Sequence, residues 1–213
     1  AVKINLFILE NQKNRLMTLS NVLSDLKLRR KESINRLFNF LKIKSISTDP
    51  VYANDCRKAA LWLQKEIKKL GLNSEIYDEG VHPIVFCFPD AIDLKKPTYL
   101  FYGHYDVQPV DPIDLWTNDP FNPKITIVDG KEVIQARGAS DDKGQLLTFI
   151  EACKSVLNVY GELPFNLKIL IEGEEESGSS SVKNFLQNHR NLVACDYAII
   201  CDTGFEQDVP CIY

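Results

Sequence analysis

"PTYLFYGHYDV", residues 97–107, is an apolar run that ends in glycine, histidine and aspartate. An unbroken stretch of this kind suits a strand buried on both faces, which belongs in a sheet covered by helices. Two later stretches share its build. "PFNLKILIEGEEESGS" (164–179) passes from an apolar strand into clustered acids, and "DYAIICDTG" (196–204) ends at Asp202. "RGASDDKGQ" (137–145) places Asp141 and Asp142 side by side before a helical pattern over Lys143–Val159. In open α/β sheets, ligands bind outside the carboxyl ends of the strands. His104 and Asp106, Glu172 to Glu176, Asp202 and the Asp141–Asp142 turn are therefore the candidate site.

Working outward, Leu16, Leu19, Val22, Leu23 and Leu26, then Ile34, Leu37, Phe38 and Leu41, recur at three and four. That spacing predicts two helices between Arg15 and Leu41 with a break near Arg29–Lys31. Residues 1–12 read as a loose arm or an edge strand. Ser47 to Pro50 form a turn, and Cys56–Leu70 reads as an amphipathic helix closed by Gly71. Asn73–Asp78 and Pro83–Phe88 read as strands. Lys124–Gly138 reads as a hairpin around Asp129-Gly130. Ser180–His189 reads as a helix, and Pro210–Tyr213 starts one more strand. Strands alternating with helices imply an α/β fold, a mixed β-sheet sandwiched by helices. Two segments are expected: residues 1–44, a helical segment packing on the rest, and residues 45–213.

A chain of 213 residues, 45% hydrophobic and 25% charged, has the length and composition for a substantial core. Its net charge of −4 argues against a nucleic-acid partner. The basic cluster at Lys27–Lys31 reads as a solvated helix end. No apolar run approaches the ~18–20 residues of a membrane span, and Ile4–Leu9 lacks the flanks of a secretory signal. Six cysteines without a CxxC pair fit free thiols in a reducing cytoplasm better than a zinc–thiolate site.

Taken singly, each candidate has an ordinary reading: a core histidine, a solvated acidic loop, a helix cap. Four such features at strand ends together point to Zn²⁺ or Mn²⁺, for which imidazole and carboxylate are both acceptable ligands. Asp106, two residues beyond His104, can hold the other ring nitrogen. Asp141 can bridge two cations with its two oxygens, and a pair ~3.5–4 Å apart activates a shared water. Of two adjacent glutamates, one can bind metal while its neighbour takes the proton of that water.

The stretches "YGHYDVQP" (102–109), "ARGASDDKG" (136–144), "EGEEESGS" (172–179) and "AIICDTG" (198–204) resemble, in order, those of the M20 co-catalytic metallopeptidases. Their spacing is also family-like: 37 residues from His104 to Asp141, 35 from there to Glu176, and 26 from there to Asp202. The resemblance covers roughly Ser45 to Tyr213. It implies a zinc-exopeptidase-like catalytic domain with two divalent ions, zinc first and manganese or cobalt as alternatives. It further implies that His104 and Asp202 hold one metal, Glu176 the other, and Asp141 both. Glu175 would be the general base, Asp106 would orient His104, and the Asp141–Asp142 peptide would be cis. Aspartate at 202 and "GHYDVQP" resemble the dipeptidase and carnosinase-like branch, so dipeptide hydrolysis is expected. An N-acyl amino acid deacylase or desuccinylase is the alternative, and a non-catalytic metal-binding remnant the third reading.

Against that family pattern the chain stops before the lid domain and the segment that supplies a last metal histidine. Family members often form homodimers through that lid. His189, in "LQNHRN", is not expected to replace the missing ligand. An incomplete second metal site, weak or absent activity, an exposed sheet edge and an apolar patch are the corresponding expectations.

Overall fold

The fold is described from a computed structural model, which covers residues 19–206 and 209–210. The expectations for residues 1–12, for the start of the first helix and for Cys211–Tyr213 lie outside the described residues. Residues 19–28 are helical (α1), and the chain turns at Arg29 before α2 (Arg30–Leu41), where the break was expected. A 3₁₀ turn over Pro50–Tyr52 leads directly into α3 (Ala53–Lys68). The Asp49 carboxylate accepts the Val51 N–H at the head of that turn, so helical structure starts ahead of the apolar pattern. Cys56, Ala59, Ala60, Leu63 and Ile67 form the buried stripe of α3, at helical spacing.

Five strands form the main sheet: β1 (Asn73–Tyr77), β2 (Ile84–Phe88), β3 (Thr98–His104), β6 (Asn166–Glu172) and β7 (Tyr197–Ile200). Their order is β1-β2-β6-β3-β7. β1, β2 and β6 pair antiparallel, whereas β3 is parallel to both of its neighbours. Every residue of β6 is buried, as its near-continuous apolar run requires. A separate hairpin joins β4 (Lys124–Val128) to β5 (Lys131–Gln135), with Asp129 and Gly130 at φ of 51° and 78°. Two left-handed residues in succession make the turn whose twist matches the strands, which is why Asp-Gly marks it. A two-residue pair, β8 (Phe205–Glu206) with β9 (Val209–Pro210), follows the sheet.

The connections determine where the site lies. From β3 the chain crosses through α4 (Lys143–Tyr160) to β6 on one side of β3. From β6 it crosses through α5 (Ser180–Asn188) and α6 (Arg190–Val193) to β7 on the other side. Right-handed crossovers in opposite directions put their helices on opposite faces. Accordingly, α2, α3 and α4 pack with Val85, Cys87, Phe101, Leu167, Ile169 and Ile171. Val182 and Phe185 of α5 pack with Ile84, Phe86, Leu100 and Leu170 on the other face. At about 1.5–3 kcal/mol for each large side chain removed from water, these two cores hold the layers together. The carboxyl end of β3 is the point where the crossovers diverge, and such a switch point opens a crevice. Among the described residues β7 is an edge strand, and Tyr197, Ile199 and Ile200 on it are exposed.

Candidate metal centre

His104 is the last residue of β3 and is fully buried. Its Nδ1 lies 3.2 Å from both the carbonyl oxygen and Oδ1 of Asp106. These acceptors call for a hydrogen on Nδ1, so Nε2 is the nitrogen that faces the crevice and would be free to hold a cation. Nε2 is 3.1 Å from Asp141 Oδ1, 3.9 Å from Asp202 Oδ2 and 4.0 Å from Glu175 Oε2. One ligand atom each from His104, Glu175 and Asp202 lies within 4.8 Å of the others. Four elements therefore deliver polar groups to one place: the ends of β3, β6 and β7, and the turn before α4.

That turn answers why two aspartates stand together. The Asp141–Asp142 peptide is cis, as the family pattern implies. The two side chains then part. Asp141 is 60% exposed and faces the crevice, while Asp142 is buried and its Oδ2 accepts the His104 N–H at 3.0 Å. Gly144 makes the turn possible, because a Cβ there would lie 2.0 Å from the Ala139 carbonyl oxygen.

The three consecutive glutamates also separate. Glu174 is buried, with Oε1 accepting the His82 N–H and Oε2 bonded to Ser180 Oγ and the Ser181 N–H. Glu175 and Glu176 open a 3₁₀ turn, and their N–H groups donate to Asp106 Oδ1 and Oδ2 at 3.3 and 3.1 Å. Glu175 joins the donor group, whereas Glu176, read from the family pattern as a ligand, is turned onto Gln108 Nε2 at 2.6 Å. Ser47 and His82 also belong to this assembly, and no spacing in the sequence pointed to them; Glu174 lies within the expected acidic cluster, but its place in the frame was not legible.

Electrostatics test whether a cation fits. Burial disfavours the charged imidazole of His104, yet Asp106, Asp142 and Asp141 raise it to about 10. Burial comes first in lifting Glu175 above the ordinary carboxylate range, with Asp202, Asp106 and Asp141 acting in the same direction and His104 against them. Burial likewise takes Asp142 up to about 8, with help from Asp202 and Asp141. Crowded carboxylates thus raise the affinity of their neighbours for protons, the mark of a site short of positive charge. One imidazole nitrogen among carboxylate oxygens is a donor set suited to zinc. The residues fit a divalent cation.

The family model for peptidase family M20/M25/M40 matches residues 100–211, just over half of the chain. The chain belongs to that family. It is 31% identical over 198 residues to the human Beta-Ala-His dipeptidase, covering 86% of this chain and 38% of that protein. It is 30% identical over 198 residues to the Cys-Gly metallodipeptidase dug1 of Schizosaccharomyces pombe, covering 88% and 41% respectively. The solved structure of the di-peptidase Dug1p from Saccharomyces cerevisiae superposes with a TM-score of 0.80 at 27% identity, over 86% of this chain and 41% of that one. The chain thus spans about two fifths of the length of these relatives. The fold expected from the sequence, a sheet flanked by helices in an M20 catalytic domain, is the one found.

Proposed function

We propose that the protein is a metal-dependent hydrolase of dipeptides, with a metal-activated water as the nucleophile. The observation that carries this reading is the convergence of His104, Asp141, Glu175 and Asp202 at the switch point, in a chain whose relatives are dipeptidases. His104 and Asp202 would hold one ion, Glu176 the second, and Asp141 both. Two divalent ions, zinc first and manganese or cobalt as alternatives, would supply Lewis acidity that acidifies water and polarises the scissile carbonyl.

The side chains then have separate tasks. Asp106 keeps the hydrogen of His104 on Nδ1, so Nε2 remains a donor of its lone pair. Glu175 takes a proton from the attacking water onto its carboxylate and passes it to the leaving amine. Its raised proton affinity suits both halves of that transfer. Within segment 1–44, the described residues 19–41 act as a helical support for the catalytic part, 45–213. Arg36 of α2, paired with Glu151 of α4 at 2.5 Å, supports that division of labour. A cytoplasmic location fits the free cysteines among the described residues.

Hydrolysis of a panel of dipeptides and N-acyl amino acids by the zinc-, manganese- and cobalt-loaded protein tests the reading. Dipeptides are expected to be the preferred substrates, with weak turnover because the second metal site lacks a histidine ligand in this chain. Turnover of acylated amino acids alone would favour the deacylase reading, and bound metal without any turnover would overturn both in favour of a non-catalytic metal-binding remnant.

A further inference from the structure

The turn at Ser47–Pro50 has no task in the mechanism above, yet it reaches the centre of the site. Residues 45–47 run alongside the extension of β3. Ile46 forms a parallel bridge with Val107, the Val107 N–H donates to the Ser45 carbonyl at 2.9 Å, and Ser45 Oγ donates to the Tyr105 carbonyl at 2.7 Å. Ser47 Oγ donates to Asp106 Oδ2 at 2.6 Å, with both residues buried. Two carboxylate oxygens offer about four lone-pair sites. Among the described residues, four donors reach the Asp106 carboxylate: His104 Nδ1, the N–H groups of Glu175 and Glu176, and Ser47 Oγ. Three of these belong to the groups that Asp106 positions. Ser47 is the fourth, and it comes from a different part of the chain.

Ser47 is itself held in place. Its carbonyl accepts from His82 Nε2 at 3.0 Å, and since a carbonyl only accepts, that nitrogen carries the hydrogen. The His82 N–H donates to Glu174 Oε1 at 2.8 Å, and the other Glu174 oxygen is bonded to Ser180 and Ser181 at the start of α5. The Asp106 carboxylate is thereby anchored through Ser47 and His82 to the residue beside the proposed base. Without the hydroxyl, a buried carboxylate oxygen loses its shortest donor, and the carboxylate is held only by His104 and the two N–H groups it positions. His104 and the Glu175–Glu176 turn would move with it.

We propose that Ser47 is a positioning residue for the metal centre, acting through Asp106 on His104 and on the turn carrying Glu175 and Glu176. The proposal rests on the metal-site reading above. Its test is zinc affinity, measured by competition with a chromophoric chelator, in the wild type, Ser47→Ala, Ser47→Cys and Ser45→Ala. Ser45→Ala removes a comparable buried hydroxyl bond from the same segment but leaves Asp106 untouched. Ser47→Ala and Ser47→Cys are expected to bind zinc about 10–100-fold more weakly, and to change the visible spectrum of the cobalt-loaded protein. Ser45→Ala is expected to melt earlier while keeping wild-type affinity and spectrum. Ser47→Cys, nearly isosteric, keeps the test open if the alanine variant fails to fold. Wild-type affinity in the Ser47 variants, or an equal loss in Ser45→Ala, would overturn the proposal. A wild type that holds no zinc would overturn the metal-site reading itself.

Discussion

Three adjacent acids, Glu174, Glu175 and Glu176, have three different surroundings, and the differences come from single hydrogen bonds. Glu174 is consumed by the frame, Glu176 rests on Gln108, and Glu175 faces His104. Glu175→Gln keeps the shape of the side chain and its N–H bond to Asp106 but removes a proton acceptor. For a general base we expect kcat to fall about 10²–10⁴-fold. Zinc retention should stay near wild type, because His104, Asp141 and Asp202 are untouched. Metal analysis beside steady-state kinetics checks this, and a variant that loses its metal would recast Glu175 as a ligand. Asp106→Asn is expected to act differently. An amide that donates towards the backbone N–H groups of Glu175 and Glu176 disturbs the turn and the His104 tautomer together. Zinc affinity should then drop about 10–100-fold, measured by the same chelator competition.

Elements are joined by charge as well as by apolar contact. Glu151 on α4 accepts from Arg36 Nε and Nη2 at 2.5 and 2.6 Å, and from Ser33 Oγ at 2.8 Å. The pair is largely buried between α2 and α4, at 17% and 8% exposure. Burial alone would raise the Glu151 carboxyl, but the bonds from Arg36 and Ser33 more than offset it and hold the group below the ordinary range. A carboxyl with a depressed folded-state pKa stabilises the fold above its unfolded pKa of about 4.3. That contribution disappears as pH falls through the folded value. Glu151→Gln should therefore cost about 1.5–3 kcal/mol near pH 7, the range for hydrogen bonds to charged groups. The gap between variant and wild type should narrow as pH falls below about 4.3. Urea unfolding near pH 7 and in acid measures it, and a gap that persists in acid would mean that shape, not charge, joins these helices.

At the scale of the whole molecule, what could be read in advance was local. The apolar runs of β2, β3 and β6, the stripe of α3 and the Asp-Gly hairpin follow from spacings of two, three and four residues. The convergence of His104 and Asp202 was legible because polar residues at strand ends meet in such folds, and that of Asp141 because it stands in the turn before a helix. The strand order was not, since periodicity says which face a residue takes but not which strand lies beside it. Nor were Ser47 and His82, or the structural role of Glu174, whose partners lie 59, 35 and 92 residues away. These contacts exist only once the sheet has brought the ends of β3 and β6 together, so a cation bound there should stabilise the assembled sheet as a unit. A ligand that binds only the folded state at 100 times its dissociation constant adds about 2.7 kcal/mol. For a domain of this size each kcal/mol moves the melting temperature by roughly 2–4 °C. Zinc should therefore raise it by about 5–11 °C at such saturation, and a chelator should reverse the rise. His104→Ala, which removes the one imidazole from the donor group, should melt at the same temperature with and without zinc. An equal rise in that variant would move the stabilising cation away from the ends of β3 and β6.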